Sequence, residues 1–273
     1  MTASRLPTLM IPHGGGPCFF MAPPPQMPTL WDAMDDHLSG LAKEIGVRPK
    51  AVLVISGHWE TDVPTVLAAP EHTLFYDYYG FPPHTYRLTY PAKGAPDIAA
   101  RTLALLEAAG IPAATETERG LDHGVFIPFK LIYPAADVPV VQLSLQADLS
   151  PKRHLEIGRA LAPLRDEGVL IVGSGMTFHN MAAMRGGGTD QAARASVAFD
   201  DWLTETVEHT DPQARAARLA EWAQAPGGRF SHPREEHLLP IMVAAGAAGD
   251  DPGKRIYTER LGGRLAQSGY RFG

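Results

Sequence analysis

Five short runs rich in β-branched and aliphatic residues, at 8–11, 51–56, 113–117, 138–145 and 169–173, are separated by stretches long enough to carry a helix. A strand buried on both faces reads as a near-continuous apolar run, and strands alternating with helices pack as a largely parallel sheet. The intervening segments fit that scheme. Leu30, Met34, Leu38 and Leu41 recur at helical spacing, 96–109 begins with a first-turn proline and stops at Gly110, and Ser150-Pro151 opens another helix in the same way. In the last third, 190–208 and 211–224 read as helices, followed by a Gly/Pro/Arg segment at 225–234 and an apolar helix ending near Gly249. The expectation is an α/β fold: one catalytic domain over 1–273, with a central, largely parallel or mixed sheet flanked by helices on both faces. The Pro-rich stretches at 23–28 and 80–83 read as surface loops, not domain boundaries.

Composition narrows the function. With 24 Lys+Arg against 30 Asp+Glu, the net charge of −6 is not that of a nucleic-acid-binding chain. The one cysteine, Cys18, can form no internal disulfide and no thiolate pair, so any metal must be held by histidine and carboxylate. The first six residues contain no apolar signal-like core, and 238–249 is too short and too interrupted by Pro and Gly to span a bilayer. A soluble, cytoplasmic protein is expected.

The histidines carry the chemistry. In open α/β sheets the ligand site lies beyond the carboxyl ends of the strands. His13 follows the first run in Ile11-Pro12-His13-Gly14-Gly15-Gly16-Pro17, and His58 follows the second in Ser56-Gly57-His58-Trp59. His123 lies beyond 113–117 in Leu121-Asp122-His123-Gly124, and His179 lies six residues past 169–173. Glycine adjoins three of the four, as a loop that brings backbone close to a ligand requires. His37, His72, His84, His154 and His209 lack such a context and read as surface or packing residues. A further group, His232, Glu235, Glu236 and His237, lies where Pro240 delays the regular helix until about Leu239, and the residues alone do not choose among these four. Neutral imidazoles from distant segments, without thiolates, suit Zn(II) or Fe(II), and three protein ligands leave positions open for substrate.

Two motifs mislead. His13-Gly14-Gly15-Gly16 looks like an esterase oxyanion hole, but no serine has glycine at both −2 and +2 to form a nucleophile elbow. Gly173-Ser174-Gly175 and the glycines at 186–188 lack the spacing of phosphate loops and read as turns.

Taken in order, these motifs, with Tyr76-Asp77-Tyr78-Tyr79-Gly80-Phe81-Pro82, Tyr133-Pro134, the run at 138–144, Gly173 through Asn180 and His232 through His237, resemble the class III extradiol ring-cleavage dioxygenases of the catalytic-subunit type. The resemblance is closest to the DOPA-dioxygenase-like branch and covers nearly the whole chain. It implies metal ligands at His13, His58 and His237, with His179 as the acid/base residue and His123 hydrogen-bonding the oxygen reactant. It also implies Fe(II) in the active form, with Zn(II) a possible occupant of the isolated protein, and a small catechol and O2 as partners, with neither nucleic acid nor membrane. The two-subunit relatives use glutamate as third ligand where this chain has His237, with Glu236 beside it. His13-Gly14-Gly15-Gly16-Pro17 is one glycine longer than the His-Gly-Ser-Pro of many relatives, which alters the pocket loop. Phe19, Phe20, Trp59, Tyr78 and Phe178 are candidates for the pocket wall. The alternative chemistry for the same three histidines is a zinc hydrolase using metal-bound water.

Overall fold

All five predicted runs are strands in the computed structural model of the protein, which describes residues 5–185 and 189–273. The turn expected at 186–188 lies outside the described residues. In chain order the strands are β1 (Thr8–Pro12), β2 (Ala51–Thr61), β3 (Thr65–Leu67), β4 (Ala114–Glu116), β5 (Val140–Gln146), β6 (Val169–Gly175), β7 (Gly253–Leu261) and β8 (Leu265–Phe272). The helices are α1 (Asp32–Ile45), α2 (Pro96–Ala108), α3 (His123–Ile132), α4 (Pro151–Leu161), α5 (Pro163–Asp166), α6 (Met181–Arg185), α7 (Asp190–Val207), α8 (Pro212–Ala220), α9 (Gly228–Ser231) and α10 (Leu239–Ala248).

One sheet takes all eight strands in the order β4-β3-β5-β2-β6-β1-β8-β7. The four central strands are parallel, whereas β8 joins β1 antiparallel and β3 joins β5 antiparallel. The single α/β domain therefore has a mixed sheet. Successive side chains of a strand point to opposite faces. Met10, Leu53, Ile55 and Ile171 accordingly enter one core with α4, α7 and α10, while Leu9, Ile11, Val52, Val54, Leu170 and Val172 enter a second with α1 and α3. Each face is covered by helices, which explains why the central runs read as continuously apolar.

α10 is apolar on every side, and all ten of its residues are buried. A helix without a polar stripe belongs in the interior, and this one packs on β6 and β1 and against α4. Its amino end therefore reaches the carboxyl ends of the parallel strands. The close approach depends on Gly175, where a Cβ would collide with the His237 carbonyl. The Met176 N–H donates to that same carbonyl at 3.1 Å.

The C-terminal strand pair is absent from the sequence-based expectation. β7 and β8 form a hairpin in which Leu261 pairs with Leu265 and the turn carries Gly262 and Gly263, both with positive φ. Charged residues crowd β7 because it is the sheet edge, and its charged pattern hides the strand. Gly173-Ser174-Gly175 is also corrected: it is the end of β6, extended backbone paired with β1 and β2, and not a turn.

Candidate metal centre

Each predicted site residue has a distinct structural anchor. His13 leaves the end of β1, where its N–H donates to the Gly175 carbonyl at 3.3 Å. The loop after it turns at Gly14, φ +75°, where a side chain would also strike Cys18 Sγ. His58 lies within β2 and not beyond it: the pairing with β5 slips between Ile55 and Glu60, and His58 is carried on that irregularity. Such bulges redirect a side chain without ending the strand. His123 is the first residue of α3, after the extended Asp122. His179 follows β6 with its N–H donated to the Ser231 carbonyl at 2.9 Å. His237 stands two residues before α10, as the proline at its second position requires.

These five imidazoles meet at the carboxyl ends of the parallel strands. His58 Nε2 lies 3.1 Å from His13 Nε2 and 3.1 Å from His237 Nε2. Ring centroids place His123 4.0 Å from His58, and His179 stacks on His237 at 3.4 Å and 17°. His13, His58 and His123 form one group able to hold a metal ion, and His179, Glu236 and His237 another.

The second ring nitrogens decide which atoms face inward. His13 Nδ1 is 3.2 Å from Ser174 Oγ, whose own proton goes to the Gly124 carbonyl, so the hydroxyl accepts from the ring. His237 Nδ1 donates to Glu236 Oε1 at 2.9 Å, and His58 Nδ1 faces Asp77 Oδ2 at 3.5 Å. A neutral imidazole carries one proton. With it on Nδ1, the Nε2 atoms of all three rings are lone pairs, and atoms without protons cannot bond to each other. A cation at their centre satisfies all three. Two ligands about 2.1 Å from an ion and at a right angle would stand about 3.0 Å apart, which fits the observed spacing.

Electrostatics favour the same state. Burial first, and then the neighbouring His58, hold the His13 imidazole well below its ordinary range; burial and His58 act likewise on His237. Burial, then His123, push His58 down to about 3. These rings are neutral near neutrality, the state in which an imidazole can bind a metal. For Glu236, burial is the largest influence and acts to raise the carboxyl, but hydrogen bonds from His179 and its own backbone N–H, together with the charges of His179 and Arg234, outweigh it and the group ends below the usual range.

Around this centre lies a polar layer that the sequence reading missed. Asp77 Oδ1 accepts from both Nδ1 and the backbone N–H of His123, at 2.8 and 2.9 Å. Buried Asp122 accepts from Ser56 Oγ at 2.7 Å and from Gln142, and pairs with Arg119 at 3.2 Å. Asp77 lay in the quoted Tyr-Asp-Tyr-Tyr motif, and only its lone carboxylate among aromatics marked it. Of the four late candidates, Glu236 and His237 reach the centre. His232 instead is wholly buried against Phe199 and Trp222, with Nε2 on the Thr177 carbonyl, and Glu235 pairs with Arg229. Tyr78 packs edge-on to His123, whereas Phe178 belongs to the core beside Leu261 and Leu265.

An α/β sheet presenting a thiolate-free cluster of five histidines at its strand ends has the donor set of a metal-dependent enzyme. The family described as the catalytic LigB subunit of aromatic ring-opening dioxygenase matches residues 7–273. A 4,5-DOPA dioxygenase extradiol of Beta vulgaris is 41% identical over 231 residues, 82% of this chain and 83% of that one. The Escherichia coli K12 protein of the same description is 32% identical, covering 90% and 87%. "Dioxygenase tasH" of Hapsidospora irregularis is 38% identical over 268 residues, covering 93% and 81%. A crystal structure of an uncharacterized Escherichia coli K12 protein superposes with a TM-score of 0.79 at 30% identity, over 98% of this chain and all of the other. The chain belongs to the LigB-type class III extradiol dioxygenases, in the DOPA 4,5-dioxygenase-like branch. It is a non-haem, Fe(II)-dependent ring-cleaving enzyme of catechol-type substrates, with a donor set that also suits Zn(II). The membership decides against the hydrolase alternative. No helix among the described residues is long and apolar enough to cross a membrane.

Proposed function

We propose that His13, His58 and His237 hold the iron through Nε2, that His179 takes and returns the catechol proton, and that His123 hydrogen-bonds the oxygen reactant. The observation that carries the ligand set is the pair of 3.1 Å Nε2–Nε2 separations centred on His58. Bound Fe(II) supplies a centre that catechol and O2 can share, and the redox chemistry of cleavage beside the hydroxyls. His179 lies flat against His237, one ring from that centre, and imidazole exchanges protons near neutral pH. His123 is held by Asp77 on its Nδ1 side, which leaves Nε2 for the reactants. Glu236 is read as a partner of histidines and not as a fourth ligand, because Oε1 accepts from His237 and faces His179. Residues 1–273 are read as one catalytic domain, supported by the single sheet that runs from Thr8 to Phe272.

Several relatives are named for 4,5-cleavage of DOPA, so DOPA heads the substrate panel. Fe(II)-reconstituted protein is offered DOPA, protocatechuate, gallate and simple catechols while O2 uptake and absorbance are followed. Stoichiometric O2 consumption with a yellow semialdehyde-type product is expected for at least one, and no uptake with any catechol at one Fe(II) per chain overturns the reading. A cytoplasmic location is consistent with the lone, buried Cys18, and cell fractionation tests it.

A further inference from the structure

Two carboxylates border the centre, and each is shared. Asp77 meets His58 through Oδ2, at 3.5 Å, and His123 through Oδ1, at 2.8 Å. Glu236 Oε1 meets His237 Nδ1 at 2.9 Å and His179 Nδ1 at 3.2 Å. In both cases one partner is a proposed metal ligand and the other a histidine proposed to act on the reactants. Both side chains are nearly buried, 11% and 12% exposed.

We propose that Asp77 and Glu236 are positioning residues that each tie one ligand histidine to one reacting histidine, His58 to His123 and His237 to His179. The inference rests on the ligand set above. A carboxylate accepts hydrogen bonds and donates none when ionised, so each imidazole facing it keeps its proton on Nδ1. That fixes the tautomer of all four rings and turns each Nε2 away from the carboxylate. For His58 and His237 the freed atom is the one aimed at the shared centre; for His179 and His123 it is the atom left to exchange protons or hydrogen bonds with reactants. Asp77 also accepts the His123 backbone N–H, which fixes the ring's base as well as its edge. Glu236 serves two rings that are already parallel, so one oxygen sets the orientation of both. His13 stands apart from the scheme. Its Nδ1 partner is Ser174, a neutral hydroxyl, and no reacting histidine shares it.

The pairing predicts crossed effects. Zn(II) is titrated into metal-free protein against a competing chelator, and imidazole 15N resonances of the Zn(II)-loaded protein report which ring nitrogen is protonated. Partners that hydrogen-bond a ligating histidine are worth about 10- to 100-fold in metal affinity or activity. Glu236→Ala is expected to weaken Zn(II) binding within that range and to release the Nδ1–H tautomer of His179 while leaving that of His123. Asp77→Ala is expected to weaken Zn(II) binding through His58, less than Glu236→Ala does because the contact is longer, and to release His123 while leaving His179. Glu236→Gln and Asp77→Asn keep an acceptor without the charge; they are expected to recover several-fold of the lost affinity, and they serve if the alanine variants fail to fold. Unchanged Zn(II) affinity and unchanged tautomers in these variants overturn the proposal, as does loss of both reacting tautomers together in either one. Retention of Zn(II) by His58→Ala or His237→Ala would instead sink the ligand set, so the two failures are separable.

Discussion

The half of the centre built on β2 and the half built on α10 use the same parts with opposite emphasis. On the β2 side the carboxylate grips His123, the proposed reacting histidine, twice and stands 3.5 Å from His58, the proposed ligand. His58 is aimed first by the strand irregularity that carries it, with Asp77 a second and more distant hold. On the α10 side the carboxylate is nearer the proposed ligand, 2.9 Å from His237 against 3.2 Å from His179, and the two rings lie face to face. The difference follows from the backbone beneath. His58 sits at an unpaired position inside a long strand that is paired on both sides of it, whereas His237 precedes its helix and needs a partner beside it. Aim can come from backbone or from a hydrogen-bonded neighbour, and the two halves of the centre weigh them differently.

The largest effect should come from the proposed ligands, which ought to be equivalent across the two halves. His58→Ala and His237→Ala should each lower bound iron from one per chain to near zero by elemental analysis; loss from one variant alone would break the symmetry. His179→Ala should keep its metal and lose about 10²- to 10⁴-fold in kcat, the usual range for a general acid/base. On the proposed roles, His123→Ala would remove a hydrogen bond to the reactant and not a proton carrier, and is expected to cost less, about 10²-fold. A larger loss at His123 than at His179 would exchange the two roles.

Acid should weaken the metal-free chain through groups of both kinds, at the centre and away from it. His58 and the core residue His232 are both pushed to about 3, chiefly by burial. Each is neutral in the native state and takes up a proton on unfolding below about pH 6.5. The stability they contribute is complete above that pH and is lost as pH falls toward 3, at roughly 2 kcal/mol for each between pH 7 and 5. Urea midpoints of the metal-free protein should therefore drop over that interval, and pH-independent midpoints would contradict the burial. Ser174→Ala should give the smallest effect, about 10-fold in Zn(II) affinity, because a neutral hydroxyl orients His13 with no charge.

The strand-end histidines were legible because a parallel sheet gathers its carboxyl ends on one side, whatever the intervening sequence. His13, His58, His123 and His179 needed only the rule that loops follow strands, although His58 proved to lie on its strand. The residues alone did not separate His237 from His232 and Glu235, since all four late candidates have suitable chemistry and nothing local says which way each points; the family resemblance singled it out, and α10 brings it to the centre. Asp77 and Ser174 were not legible as site residues. Their roles depend on contacts across 46 and 161 positions, which no periodicity encodes. The C-terminal hairpin escaped for another reason: an edge strand carries charge to prevent pairing with other chains, and charge is what a search for buried strands passes over.

The three proposed ligands stand at positions 13, 58 and 237, and that order has a temporal meaning. A ribosome releases two of them early and withholds the third until most of the chain has been made. Two imidazoles on an unfinished sheet form an incomplete chelate, and α10, the interior helix that delivers the third, has no core to enter until β1, β2 and β6 are in place. Metal loading should thus be a late event in the life of each molecule, following assembly of the sheet and reporting that it succeeded.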